Sequence, residues 1–258
     1  MIVSALQHDI VWEDPASTHD LVHPLIAAAA GNGADLVVLT EMFATGFTSD
    51  PASFAQSADG PSVEFLSGHA QRHGITLMAS IPWRLDDGTG FTNRLLVVDP
   101  SGVVGHYDKI HPFTYGGESE HYRSGSEILT LAVGRPGVTL RVTPQVCYDL
   151  RFAPGMWRAA PETDCFVIVA NWPSSRRHHW RSLLMARAIE NQAYVVGVNR
   201  VGSGGGLDYV GDSMIVDPLG EVLADGEGRG TAILTALVAT EVVADVRRAF
   251  PFLQDRTP

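Results

Sequence analysis

Cysteine is scarce in this chain, with 2 in 258 residues, and neither Cys147 nor Cys165 sits in a CxxC or HExxH pattern. That excludes a disulfide-stapled scaffold and the common zinc frameworks, so no metal is expected. Positive charge is also short: 18 Lys and Arg face 29 Asp and Glu, for a formal net charge of −11. A nucleic-acid partner needs clustered cations to neutralise phosphate. The one basic cluster, Arg176-Arg177-His178-His179, is too short for that and reads as a solvated loop. No apolar run approaches the ~20 residues that cross a bilayer, so no membrane partner is expected. The opening residues 1–9 lack a basic leader and read as a first strand, which predicts a cytoplasmic protein.

What is present describes a globular chain: 45% hydrophobic and 18% charged residues, without a charge run or low-complexity tail. This length buries a substantial core, and no linker divides it, so residues 1–258 are read as one α/β domain. Strands and helices alternate. Strands are expected at 2–7, 35–40, 75–81, 93–98, 103–107, 165–170, 194–199 and 231–237. Helices are expected at 18–32, 61–73, 181–192 and 239–248, with Pro24 either kinking the first or moving its start to about residue 23. Asp99-Pro100-Ser101-Gly102 and Asp217-Pro218-Leu219-Gly220 read as hairpin turns, and the Gly202–Gly206 stretch as a mobile loop. The run Asp35 to Glu41 echoes Asp164 to Asn171, each an Asp, an apolar strand and a polar end. This suggests two related βα halves packed face to face.

Three residues carry the chemistry. Glu41 closes Leu36-Val37-Val38-Leu39-Thr40, Lys109 follows residues 103–108, and Cys147 follows residues 140–146. Each lies where an apolar run gives way to a polar, turn-prone segment, the usual place for a scaffold to present reactive groups. Cys165, inside an apolar strand, reads as a packed core thiol. A thiol attacks as thiolate, and with an ordinary pKa of ~8.5 it needs a base or a cation beside it. No histidine stands in a recognisable pairing with Cys147. Glu41 is therefore the expected base, and Lys109 the cation that favours thiolate and oxyanion, with a backbone N–H near Tyr148 as second oxyanion donor. Taken singly, each of the three also suits a structural role.

The segments Leu39-Thr40-Glu41-Met42-Phe43, Tyr107-Asp108-Lys109-Ile110-His111 and Cys147-Tyr148-Asp149-Leu150-Arg151-Phe152 resemble the three catalytic segments of the nitrilase superfamily. Gly116-Gly117-Glu118, Ala170-Asn171-Trp172-Pro173, residues 186–191 and Gly211-Asp212-Ser213 extend that resemblance over most of the chain. It implies an α-β-β-α sandwich that pairs as a homodimer or larger homo-oligomer, a cofactor-free carbon-nitrogen hydrolase, and a second active-site glutamate at Glu118, with Glu120 as its competitor. The Cys147 segment, together with Asn171-Trp172-Pro173 and residues 187–192, looks closest to the ω-amidase branch, which deamidates ω-amides of small α-keto dicarboxylates such as 2-oxoglutaramate. For such a small-molecule amide, Arg176 or His121 is expected to pair with the acid and Phe43, Tyr115, Tyr148 and Trp172 to form the walls, while Arg151 is read as a structural ion-pair partner. A nitrilase, another amidase or carbamoylase, and a non-catalytic binding protein on the same scaffold remain the alternatives.

Overall fold

The computed structural model describes residues 1–135 and 137–256. In chain order the strands are β1 (Ile2–Gln7), β2 (Leu36–Val38), β3 (Thr76–Arg84), β4 (Phe91–Asp99), β5 (Gly102–Asp108), β6 (Leu131–Arg135) and β7 (Val138–Val146). They continue with β8 (Cys165–Ala170), β9 (Tyr194–Asn199), β10 (Val201–Gly204), β11 (Leu207–Val210), β12 (Met214–Val216), β13 (Val222–Asp225) and β14 (Ala232–Leu237). The helices are α1 (Pro15–Gly31), α2 (Pro51–Phe54), α3 (Pro61–His73), α4 (Glu118–His121), α5 (Ala153–Ala159), α6 (Arg177–Asn191) and α7 (Thr240–Ala249).

Two six-stranded mixed sheets run in the orders β14-β1-β2-β3-β4-β5 and β13-β12-β9-β8-β7-β6. Three parallel strands sit inside each, β1-β2-β3 and β7-β8-β9, and antiparallel strands flank them. Central parallel strands are covered on both faces, which is why β8 is apolar and buried throughout. Val3, Ala5, Val38, Leu95 and Val97 of the first sheet and Val142, Val146, Val169 and Val198 of the second share one core cluster. α1 and α3 cover the outer face of the first sheet through Val22, Ile26, Val63 and Leu66, while Trp180, Leu184 and Ala188 of α6 cover the second. The result is the expected α-β-β-α sandwich.

The echo between the halves is a structural repeat. Asp35 exchanges backbone hydrogen bonds with Ile2 (2.8 Å) and Thr76 (2.9 Å), and Asp164 does the same with Arg141 (2.9 Å) and Tyr194 (3.0 Å). Each aspartate also accepts from the neighbouring strand with its side chain, Asp35 from Ile2 N at 2.8 Å and Asp164 from Arg141 N at 3.0 Å. So β2 and β8 occupy equivalent central positions, and the residues that follow them, Glu41 and Asn171, emerge at equivalent ends.

Some elements depart from expectation. α1 starts at Pro15 because the Asp14 side chain accepts from Ser17 N at 3.1 Å, an N-cap followed by proline at the first helical position. The helix then runs unbroken through Pro24. β2 ends at Val38, two residues early, although Leu39 N still donates to the Met78 carbonyl at 2.8 Å, and Met42 N beyond it turns to Ser80 Oγ (2.8 Å). Gly202–Gly206 is no irregular loop: β10 and β11 pair from Val201↔Val210 to Gly204↔Leu207, leaving Gly205 and Gly206 as the turn. Their φ values of 57° and 78° suit a two-residue hairpin turn of the kind glycine favours.

Candidate active site

Glu41, Lys109 and Cys147 each leave the end of a strand, β2, β5 and β7, and converge where the two sheets meet. Two of the turns are backbone outliers, with φ of +41° at Met42 and +48° at Cys147. Such conformations cost a non-glycine residue about 1–3 kcal/mol and persist only where the surroundings over-determine them.

Lys109 is buried, and its Nζ donates to Glu41 Oε1 at 2.9 Å and Glu118 Oε2 at 2.8 Å. Asn93 Nδ2 donates to the same carboxylates, to Glu41 Oε1 at 2.9 Å and Glu118 Oε1 at 3.1 Å. Asn171 closes the set: its backbone N–H donates to Glu41 Oε2 (2.8 Å) and its Nδ2 to the Glu41 carbonyl (2.6 Å). Phe113 N–H donates to Glu118 Oε2 at 2.6 Å. Glu118 is buried and Glu120 exposed, so it is Glu118 that turns into the cluster.

Burial alone would pull the Lys109 ammonium down, yet Glu118, Glu41 and Cys147 outweigh it and hold its pKa well above the ordinary lysine value. Burial pushes the Glu118 carboxyl up, Lys109 opposes this, and Glu41 adds to it, for a raised value. The Cys147 thiol is pushed well up by burial and by Glu41, with Lys109 pulling the other way. Lys109 thus acts in the expected direction, towards a thiolate, but burial and the two carboxylates outweigh it. One ammonium already faces two carboxylates, and a third buried anion would be unmatched. Loss of the thiol proton is accordingly disfavoured by these surroundings.

Asp149, two residues past Cys147, braces the site and was not singled out by sequence reasoning. Its Oδ1 accepts from His111 N (2.9 Å) and Nδ1 (2.8 Å), and its Oδ2 from Tyr107 Oη (2.9 Å) and Val146 N (3.1 Å). The cysteine turn is thereby fastened to the segment that carries Lys109. Position is the only signal in the sequence: an acid two residues past Cys147.

Cys147 opens onto a cavity of about 200 Å³, whose walls include Trp12, Phe47, Phe113, Tyr148, Trp172 and Tyr209. Arg151 and Arg176 also line it. The structure brings Tyr148, Trp172 and Arg176 to this cavity and leaves out Phe43, Tyr115 and His121. Phe43 is fully buried in the layer between the first sheet and its helices, 5.7 Å from the His19 ring and 6.2 Å from Phe65. Phe47, with Lys109 Nζ 5.5 Å from its ring centroid, takes the wall position instead. Tyr115 is 87% exposed, and Phe113, 5.8 Å from it, faces the cavity. His121 ends α4 on the surface, while Tyr122 turns inward and donates to the Thr48 carbonyl at 3.0 Å. Arg151 has no carboxylate partner among the described residues. It stacks 4.8 Å over Trp172, so the ion-pair reading gives way to a cationic cavity wall.

Among the described residues no three His, Cys, Asp or Glu side chains gather as a metal site, and no helix is long and apolar enough to cross a membrane. The arrangement sets a thiol, a carboxylate, an ammonium and a cationic wall around a space the size of a small acyl compound.

The family model for carbon-nitrogen hydrolases matches residues 2–248. The chain is 38% identical to the omega-amidase YafV of Escherichia coli strain K12, over 98% of this chain and 95% of that protein. It is 32% identical to the 2-oxoglutaramate amidase of Bacillus subtilis strain 168, over 98% and 96%. A crystal structure from Xanthomonas campestris, of a CN-hydrolase superfamily protein with an arsenic adduct in its active site, superposes with a TM-score of 0.91 at 36% identity, covering 100% of this chain and 97% of that one. A nitrilase superfamily member from Saccharomyces cerevisiae shares the fold at 24% identity and a TM-score of 0.88, covering 100% and 97%. With the family model spanning nearly the whole chain and relatives of this identity along its length, the protein belongs to the carbon-nitrogen hydrolase family.

Proposed function

We propose that this protein is a thiol amidase that hydrolyses the ω-amide of small α-keto dicarboxylate monoamides, 2-oxoglutaramate among them, to acid and ammonia. The observation that carries the reading is the buried Glu41-Lys109-Glu118 cluster beside Cys147, at the floor of a cavity whose cationic residues lack carboxylate partners among the described residues. The similarity to an omega-amidase and a 2-oxoglutaramate amidase supports the substrate class.

Cys147 attacks the amide carbon while its proton passes to Glu41. As the C–S bond forms, the C=O π pair moves onto the carbonyl oxygen, whose negative charge is held by the Lys109 ammonium and the Tyr148 backbone N–H. The Tyr148 N–H lies in the first turn of the 3-10 segment Cys147–Arg151, where backbone donors lack partners within the helix. Protonated Glu41 then gives its proton to the departing nitrogen, ammonia leaves, and a thioester remains. Glu41 next takes a proton from water, whose oxygen attacks the thioester, and the acid and free thiol are restored. Glu118 and Asn93 hold Lys109 and Glu41 in place throughout. Arg176, with Arg151 beside it, pairs with the substrate carboxylate, and Trp172 and Tyr148 wall the chain. No cofactor enters any step.

The protein works as a homodimer in the cytoplasm. Both cysteines are free, and a working thiol needs a reducing compartment. Trp157, Ile189, Phe250 and Phe252 are exposed along α5, the end of α6 and the C-terminal tail, which Arg256 ties together by stacking 4.9 Å over Trp157 and donating to Asn191 Oδ1 at 3.1 Å. Such a patch is suited to a second copy. Measuring ammonia release from 2-oxoglutaramate, a simple nitrile and an N-carbamoyl amine, with Cys147→Ala as control, tests the reading. Turnover confined to the nitrile or the carbamoyl compound would replace it.

A further inference from the structure

Tyr209, on the hairpin strand β11, is buried to 5% exposure and forms part of the wall of the cavity that holds Cys147. Its ring rests on the fully buried guanidinium of Arg200, 4.7 Å from Cζ to the ring centroid. That guanidinium is itself pinned: Nη2 donates to Asp9 Oδ1 at 2.8 Å and to the Ile10 carbonyl at 3.0 Å, and Nε donates to the Val201 carbonyl at 3.1 Å. Trp12 stands beside it in the same wall, gripped by glycines. A Cβ added at Gly46, Gly204 or Gly205 would come within 2.8, 2.6 and 2.6 Å of the indole. The indole is thus closely flanked by backbone of two separate segments, and the phenol by the Arg200 guanidinium.

The Tyr209 hydroxyl has no hydrogen-bond partner among the described residues, and Nη1 of the Arg200 guanidinium beneath its ring has none either. Burial raises its pKa to about 12; Arg200 and Arg176 pull it down, and Glu41 and Cys147 push it up. The phenol therefore lies within the fields of both the thiol end of the cavity and Arg176. In an ω-amide of an α-keto dicarboxylate, the 2-oxo group lies next to the carboxylate on the chain that leads to the amide carbon. With the amide at Cys147 and the carboxylate at Arg176, a phenol lining the same cavity is available to donate to that oxygen. The cation under the ring opposes the rise that burial imposes, since it favours loss of the hydroxyl proton.

Building on the amidase reading above, we propose that Tyr209 is a specificity-determining residue, its hydroxyl donating a hydrogen bond to the 2-oxo oxygen of the substrate. The bond would let the enzyme separate keto-acid amides from amides of the same length without the ketone. The test compares wild type with Tyr209→Phe on 2-oxoglutaramate and on glutaramate, which has the same chain and no 2-oxo group, reading kcat and KM for both. The expected result is a rise in the KM ratio, 2-oxoglutaramate over glutaramate, of roughly five- to tenfold in the variant, the size of one hydrogen bond. Equal changes for both compounds, or none for either, would overturn the assignment, as a structural role moves both together. A wild-type enzyme inert towards both compounds is a separate outcome, which removes the amidase reading and this assignment with it. The melting temperature and the rate of Cys147 alkylation, measured on both proteins, show that phenylalanine leaves the site folded.

Discussion

Glu41 and Asn171 stand at equivalent ends of the central strands of the two sheets and grip each other through two hydrogen bonds, Asn171 N to Glu41 Oε2 at 2.8 Å and Asn171 Nδ2 to the Glu41 carbonyl at 2.6 Å. A repeat in the fold has become an asymmetric pair: one strand end carries a carboxylate, the other the amide that holds it. Asn171→Ala removes the side-chain half of that grip. We expect kcat on 2-oxoglutaramate to fall by about tenfold or more, since a hydrogen bond that orients a reacting group is felt in the rate. KM should change less, and steady-state kinetics on the purified variant check both.

Cys147→Ala deletes one sulfur from a site that already opens onto a cavity. Ammonia release should vanish, while stability changes by only about 1 kcal/mol. Calorimetry alongside the activity assay separates the two, and a large loss of stability would mean that the thiol is structural.

Lys109 behaves in the opposite way. Replacing it with methionine leaves Glu41 and Glu118 buried without their shared cation, a loss of about 3–5 kcal/mol by the usual cost of breaking a buried pair. Denaturant unfolding should show Lys109→Met to be far less stable than Cys147→Ala. A second change, Glu118→Gln, in the Lys109→Met background should recover part of the loss by removing one stranded charge.

Arg176→Gln should raise KM for keto-acid amides by roughly ten- to a hundredfold, the worth of a charge-assisted hydrogen bond of about 1.5–3 kcal/mol, and leave KM for propionamide far less changed. A parallel loss on the uncharged amide would assign Arg176 to the fold, through its contact with Phe113 at 5.4 Å, and not to the carboxylate.

Acid should destabilise the fold through its buried histidines. Burial lowers His8 to about 4, and it lowers His69 to about 4 with help from His23 and His73. A histidine whose pKa is depressed in the folded state stays neutral there while the unfolded chain takes up a proton. Its contribution is present above the unfolded value of 6.5 and is lost as pH falls towards about 4. Melting temperature should decline across that window, and His69→Gln should flatten the decline. An unchanged slope in that variant would assign the acid lability elsewhere.

Much of this protein was legible before any coordinates. Strand β8 is apolar throughout because both its faces are buried, and that pattern survives any detail of packing. The three reactive residues announced themselves by lying where such runs stop. The walls of the cavity were harder to read: Phe43 and Phe47 are both aromatic and four residues apart, yet one packs into the helical layer and the other lines the cavity, with Gly46 at a φ of 75° between them. Tyr115 and Phe113 pose the same problem.

The order of apolar runs and breaks, the acidic balance and the identities of nucleophile, base and cation were set by the chain itself, because each depends only on local composition and period. Tertiary structure alone decided that one ammonium is shared by two carboxylates, that Asp149 ties the cysteine turn to the lysine segment, that Arg151 faces a cavity, and that Tyr209 and Trp12 form its far wall. These are contacts between residues dozens of positions apart, and their charge states follow from burial and neighbours that no short stretch of sequence contains.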